Sequence, residues 1–122
     1  MIEVTLKEVV NAVEPLRRVL STKMPVKAAY HLSRIGDKLE STLRTFEAAR
    51  SKRIKELGVE TSDKLNFMII DPEQQKVFQA EQDVLLAEVI KIDKEPFSLS
   101  QLGNGVELTP ADLMALNKIL VE

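Results

Sequence analysis

The sequence contains no cysteine and no tryptophan, and it has only one histidine, one tyrosine and four phenylalanines among 122 residues. The absence of cysteine excludes disulfide bonds, thiolate nucleophiles and cysteine-ligated metals. No apolar run approaches the roughly 18 residues that a membrane-spanning helix needs, and the first residues lack the basic and apolar segments of a signal peptide. We therefore expect a protein without a disulfide framework, a membrane span or a secretory leader.

Side chains that carry catalysis or bind metals are also scarce. The single histidine, His31, lies between Lys27 and Arg34, whose positive charges disfavour a bound cation. Glu81 and Glu88 share a helix face, but such a pair is more typical of a solvated surface than of an acid–base site in a cleft. No serine lies in a nucleophile elbow, and the one Gly-Asn-Gly sequence lacks the context of a dinucleotide site. We predict no enzymatic activity, no metal and no cofactor.

One long helical stretch, from Met24 to Gly58, dominates the chain. Pro25 can open a helix, because the N–H that proline lacks has no partner there. Gly58 is expected to end the helix in the left-handed conformation. The apolar residues recur mainly at steps of three and four: Ala28, Leu32, Ile35, Leu39, Leu43, Phe46, Ile54 and Leu57. Several of these residues lie eleven apart, which predicts a nearly straight stripe that a helix of the same chain or of another copy must cover.

A shorter helix is predicted before the central one, from Thr5 to about Leu20. Thr5 and Glu8 have the spacing of a capping box. Pro15 should kink this helix or split it at Glu14. Residues 21–24 form a short connection, so the two helices should lie antiparallel. In the second helix Gly36 costs about 1 kcal/mol relative to alanine, which favours a close approach of another element, with a tolerated surface glycine as the alternative.

The second half of the chain alternates between short strands and helices. A strand or buried extended segment is predicted at Leu65–Ile70. A helix should then begin at Asp71 and Pro72, the pattern of an N-cap followed by proline, and end near Ala87. The residues that we expect to face inward on it are Val77, Phe78, Val84 and Leu85.

Three further strands and a last helix complete the prediction. The strands are expected at Val89–Asp93, Phe97–Ser100 and Val106–Leu108, separated by turns that contain Pro96 and Gly103–Gly105. The last helix should begin at Thr109, end near Val121 and bury Leu113, Leu116, Ile119 and Leu120. The predicted class is α+β, in one domain of residues 1–122: a long antiparallel helical hairpin over about 5–58, joined to a small antiparallel β-sheet with two shorter helices over about 65–122.

Charge is distributed unevenly along the chain, although its net value is only −2. Residues 17–55 carry 11 Lys and Arg against three acids, whereas residues 56–122 carry 13 acids against five lysines. The favoured interpretation is that the basic helix faces the acidic half of its own chain. Contact between copies of the chain and a nucleic-acid footprint remain open. The candidate interaction surface is basic and consists of Arg34, Lys38, Arg44, Arg50, Lys52, Arg53 and Lys55.

The central helix also carries a family resemblance. Its motif residues are Met24–Pro25–Val26–Lys27, Tyr30, Lys38–Leu39–Glu40, Phe46–Glu47, Arg50 and Gly58. With the later segments FQAEQDVLLAEVIKID, FSLSQL and LTPADLMALNKIL, the stretch from Met24 to Leu120 resembles a group of small phage and prophage proteins of unknown function. The resemblance implies a phage genome and a role in the particle or its assembly. It assigns no catalytic or binding residue.

These observations together predict a non-enzymatic structural or accessory protein of the virion, at the head, neck or tail. Its expected partners are other phage structural proteins, with further copies of itself as a second option. No membrane association is expected. One alternative is an assembly chaperone. Another is a small regulator that binds nucleic acid through Arg44, Arg50, Lys52, Arg53 and Lys55. The expected location is the virion or the host cytoplasm.

Overall fold

The computed structural model describes residues 1–103 and 105–122. Its helices are α1 (Leu6–Leu20), α2 (Val26–Leu57), α3 (Pro72–Leu86) and α4 (Pro110–Ala115). Its strands are β1 (Ile2–Thr5), β2 (Val59–Glu60), β3 (Phe67–Met68), β4 (Val89–Ile92), β5 (Phe97–Ser98) and β6 (Leu120–Val121). In this part of the chain, β1 pairs with β4 and β2 with β3, both antiparallel, and β5 pairs with β6 in parallel. The predicted α+β class with a long helical hairpin is confirmed.

Helix α1 begins as its sequence predicts. The Thr5 hydroxyl accepts a hydrogen bond from the Glu8 backbone N–H at 3.2 Å, and the Thr5 N–H donates to the Glu8 carboxylate at 2.9 Å. The helix continues without a break through Pro15, so the predicted split at Glu14 does not occur. Pro15 is buried, whereas Asn11, whose carbonyl loses its helical partner to the proline, is exposed and can bond to water.

The hydrophobic core lies between α1, the first half of α2, the β1–β4 pair and the C-terminal segment. Four apolar residues of α2 are fully buried there: Ala28, Leu32, Ile35 and Leu39. Gly36 faces α1, because a Cβ added to it would lie 3.3 Å from Leu20 Cδ1 and 3.6 Å from Leu16 Cδ2. The predicted close approach at Gly36 is therefore confirmed.

Beyond Leu39, α2 contacts this core only through partly buried side chains, those of Leu43 and Phe46. Leu43, Phe46, Ile54 and Leu57 continue the apolar stripe but are only half-buried. Among the described residues, no hydrophobic side chain between Leu39 and Ile92 is fully buried. Residues 43–86, which comprise the end of α2, the β2–β3 hairpin and α3, are called the arm below. The arm is thus held together by partly exposed contacts rather than by a core of its own.

Gly58 ends α2 for a different reason from the one predicted. Its φ of −100° and ψ of −178° are extended, so the left-handed conformation expected from the sequence is wrong. A Cβ at this position would lie 2.6 Å from the Ile54 carbonyl oxygen and 2.7 Å from that of Met68. Glycine is required because the backbone of β3 passes directly against the end of the helix. Gly58 is the single residue between the end of α2 and the start of β2.

The C-terminal segment departs most from the prediction. The predicted strand at 106–108 is not observed, and a 3₁₀ turn at Leu99–Gln101 replaces the end of the predicted strand 97–100. The predicted turn at 103–105 includes Asn104, which lies outside the described residues. Helix α4 ends at Ala115 rather than near Val121, and Leu120 and Val121 form β6 instead.

The burial predicted for the last helix is wrong at one position. Leu113 is 41% exposed, whereas Leu116, Ile119 and Leu120 reach the core as expected. The spacing of the last three residues fits both a helix and the observed turn into β6, so apolar spacing alone did not reveal the helix end. Within the described residues, no helix combines the length and apolar character needed to cross a membrane.

Candidate interaction surface

The predicted basic residues of α2 fall into two groups. Five of them are exposed and lie within roughly 120° of one another around the helix at 100° per residue. They are called the outer basic face below: Arg34, Lys38, Arg44, Lys52 and Lys55. None of the five forms an ion pair with another described residue. This side of α2 therefore presents a cluster of positively charged side chains to solvent.

The other two basic residues, Arg50 and Arg53, face α3. The Arg53 guanidinium donates two hydrogen bonds of 2.7 Å to the Glu81 carboxylate, and it donates a third to Glu56 at 3.0 Å. The bonds from Arg53 hold the pKa of Glu81 below its ordinary value, and the bonds to Glu81 and Glu56 raise the pKa of Arg53. Arg50 lies over the Phe78 ring, with its guanidinium carbon 5.8 Å from the ring centroid.

Part of the basic region therefore faces the acidic half of the same chain, as the favoured interpretation predicts. A second such ion pair joins Arg18 to Asp112 at 2.6 Å. These contacts involve Arg53 and Arg18, whereas the outer basic face has no comparable partner. Contacts between the basic and acidic halves of the chain thus explain the charges on the side of α2 that packs against α3. They do not involve the outer basic face on the opposite side.

The far end of the arm exposes large hydrophobic side chains. They belong to the β2–β3 hairpin and its flanks and are called the apolar tip: Val59 (50% exposed), Leu65 (80%), Phe67 (39%), Met68 (56%) and Ile70 (61%). Val59 and Met68 are cross-strand partners, so their side chains lie next to each other on one face. The sequence predicted either a strand or a buried extended segment here. A strand is observed at Phe67–Met68, and both residues are exposed.

A compact turn supports the apolar tip. The Asp63 carboxylate accepts hydrogen bonds from the Thr61 hydroxyl and from the Leu65 backbone N–H, the latter at 3.1 Å. The bond from Thr61 also lowers the pKa of Asp63. Backbone bonds from Thr61 to Asn66 and from Lys64 to Thr61, each 2.9 Å long, close the turn. The tip is therefore an ordered structure that holds its apolar side chains in water.

A groove of about 460 Å³ lies beside the tip, between the end of α2 and the start of α3. Its apolar lining is contributed by Ile54, Phe67, Met68, Ile69 and Phe78, and its polar rim by Gln75 and Gln79. The Gln75 side-chain amide donates to the Ile69 carbonyl at 2.9 Å, which fastens α3 to the hairpin. The groove extends the apolar surface of the tip along the arm.

Helix α3 begins at the predicted N-cap, with the Asp71 carboxylate accepting from the Glu73 N–H at 3.0 Å. Its orientation differs from the prediction. Phe78 and Leu85 are half-buried as expected, but Val77 is 42% and Val84 is 74% exposed. Each valine precedes an inward residue by one position, which rotates it by about 100° around the helix. Sequence periodicity could not show which pair faces inward, because Val77 and Val84 are seven residues apart and so are Phe78 and Leu85.

The single histidine lies outside the arm. The His31 ring centroid is 5.9 Å from those of Tyr30 and Phe97, and Arg34 lies over the Tyr30 ring at 5.7 Å. Among the residues that the structure describes, no three His, Asp or Glu side chains gather closely enough to hold a metal ion. The surroundings of His31 are thus aromatic and cationic.

Comparisons with protein-family models, with curated proteins and with solved structures found no match to this chain. The resemblance to small phage proteins stays a prediction from the sequence.

Proposed function

We propose that this chain is a non-enzymatic structural or accessory protein of a phage particle, at its head, neck or tail, and that it acts through protein–protein contacts of the arm. The phage context rests on the resemblance of residues 24–120. Such a protein would be found in the virion or in the host cytoplasm before assembly. Its partners would be other structural proteins of the phage.

The observation that carries this proposal is the apolar tip. Contiguous apolar patches larger than a few hundred Å² are rare on monomeric proteins and commonly mark an interaction site. At the tip, Leu65 is 80% exposed, although hydrogen bonds close the turn that holds it, and Ile70, which follows β3, is 61% exposed. An ordered segment that keeps large apolar side chains in water is well suited to enter a pocket on another protein, because little ordering entropy is lost on binding.

The first experiment is mass spectrometry of purified virions from a phage that encodes this chain. We expect the protein at a fixed ratio to other particle components. Its absence from virions would overturn the proposal, and abundance in infected cells without incorporation would favour an assembly chaperone instead.

A pair of variants tests the role of the tip. Leu65→Glu should reduce incorporation into virions at least about tenfold, because a charge would enter the apolar contact. Val26→Glu is the matched control, since Val26 is 85% exposed at the start of α2, outside the arm. Both variants should keep the wild-type circular dichroism spectrum. Normal incorporation of Leu65→Glu would show that the tip is not the contact.

The outer basic face supports a second candidate function, a small regulator that binds nucleic acid. Since Arg50 and Arg53 face α3, binding would rely on Arg44, Lys52 and Lys55. Affinity should then fall steeply with salt concentration. A mobility-shift assay at low salt with DNA and RNA tests this candidate, with Lys52→Glu/Lys55→Glu as the variant. Absence of any shift would remove it.

A further inference from the structure

Helix α3 carries a second apolar surface, distinct from the apolar tip. Val77, Ala80 and Val84 are separated by steps of three and four, so they align along one side of the helix. All three are exposed, Val84 to 74%. The inner side of the helix is already engaged, since Phe78 contacts Arg50 and Glu81 binds Arg53. The spacing of the exposed residues is that by which two helices pack against each other.

Two charges of opposite sign border this surface. Lys76 and Asp83 each precede one of the exposed valines, and they lie seven residues apart along the same edge. Neither forms an ion pair with another described residue. The Asp83 carboxylate accepts a side-chain bond from Gln79 at 2.9 Å. One edge of the apolar surface therefore carries a positive charge at Lys76 and a negative charge at Asp83.

This arrangement is complementary to itself in one orientation. If two copies of α3 pack antiparallel about a twofold axis near Ala80, Lys76 of one copy lies opposite Asp83 of the other. The symmetry then repeats the pair on the other side of the axis, which makes the contact isologous. The valines of each copy pack around Ala80 of the other, whose small side chain permits a close approach.

We propose that α3 forms an antiparallel dimer contact between two copies of this chain. The inference rests on the proposed function, because it identifies a second copy as one of the partners of the arm. A 15-residue helix is roughly 22 Å long. The contact therefore falls below the 1,200–2,000 Å² typical of stable interfaces, so we expect an exchanging dimer with a Kd on the order of micromolar.

Sedimentation equilibrium over a wide concentration range tests the dimer. The wild type should change from monomer to dimer, and Val84→Glu should weaken dimerisation at least about tenfold. Lys76→Glu and Asp83→Lys should each weaken it by about fivefold, because each brings like charges together twice. The combined variant Lys76→Glu/Asp83→Lys should restore the wild-type Kd, since it reverses both charges of each pair.

Val26→Glu again serves as the matched control, and it should leave the Kd unchanged. All the substituted side chains are exposed, so at protein concentrations well below the Kd each variant should melt at the wild-type temperature. A wild-type protein that stays monomeric, or a dimer that tolerates Val84→Glu, would overturn the inference. So would a combined variant that is no better than the single reversals. A monomer that enters virions would contradict only the dimer, whereas a dimer absent from virions would contradict only the phage role.

Discussion

At the scale of single residues, two glycines of the hairpin show which structural requirements can be predicted from a sequence. Gly36 lies inside α2 and Gly58 directly after its end. The sequence predicted a helix end at Gly58, and at Gly36 either a close approach of another element or a tolerated surface glycine. At Gly36 the cause is space beside the Leu20 side chain, as anticipated. At Gly58 the cause is also space, between two backbone carbonyls, rather than a left-handed φ. A glycine in the sequence indicates a position where a side chain is unfavourable. The physical reason depends on neighbours from elsewhere in the chain, here Leu20 and the backbone of Met68.

The two glycines should respond differently to alanine. Gly58→Ala should lower the free energy of unfolding by about 1–3 kcal/mol, because the backbone carbonyls that a Cβ would meet move only with the helix end and β3. Gly36→Ala meets the end of a flexible leucine, and the gain of about 1 kcal/mol in helix propensity offsets the crowding. Urea denaturation of both variants measures the difference. Equal destabilisation by the two substitutions would contradict this account.

At the scale of elements, the contact between α3 and α2 includes the Arg53–Glu81 ion pair, which the charge distribution indicated only as an attraction between the basic helix and the acidic half. Local signals located the helices: the Thr5–Glu8 capping box and the Asp71–Pro72 start are both observed. Partners of the strands were not predictable. Strand β4 pairs with β1, some 90 residues earlier in the chain, and a short β-prone segment carries no information about which distant edge it meets.

The Arg53–Glu81 pair makes the stability of the arm depend on pH. The pKa of Glu81 in the folded protein lies below its ordinary value of 4.5. The pair therefore stabilises the fold above pH 4.5, and this contribution is lost as the pH falls through the lowered pKa. Glu81→Gln should accordingly melt at a lower temperature than the wild type at pH 7, and the difference should shrink below pH 4.5.

The control for this measurement is Glu107→Gln. Glu107 is exposed and has no ion pair with the described residues. Its substitution removes a carboxylate elsewhere on the chain, so it should leave the melting temperature near the wild-type value at both pH values. A Glu81→Gln difference that grew as the pH fell would contradict the assigned role of the pair.

At the scale of the whole molecule, the chain divides into a buried core and an arm that continues from it. Helix α2 belongs to both, since its inward-facing apolar residues up to Leu39 are buried and those from Leu43 onward are only half-buried. The sequence could not reveal this division, because the apolar stripe keeps the same period along the whole helix. The stripe predicts that a helix has a partner, but the extent of burial depends on how much of the chain is available to cover it.

Hydrogen exchange should separate the two parts. Backbone amides of α3 are expected to exchange faster than those of α1, because contacts in the arm are partly exposed and regions with little buried surface open at lower free energy. The two helices are matched in length, at 15 residues each. Exchange followed by mass spectrometry at neutral pH and low protein concentration, where the proposed dimer is dissociated, provides the comparison. Equal protection of α1 and α3 would show that the arm and core unfold as one unit.

The contact between Arg34 and Tyr30 has an optical consequence. The chain has no tryptophan and Tyr30 is its one tyrosine, so tyrosine fluorescence originates at a single ring, on the first turns of α2. Arg34 donates a hydrogen bond to the Tyr30 hydroxyl at 3.0 Å and lies over the ring. Tyrosine fluorescence from the wild type therefore reports on the start of α2, outside the arm, and a tryptophan placed at Phe67 would add a second, spectrally resolved signal from the arm.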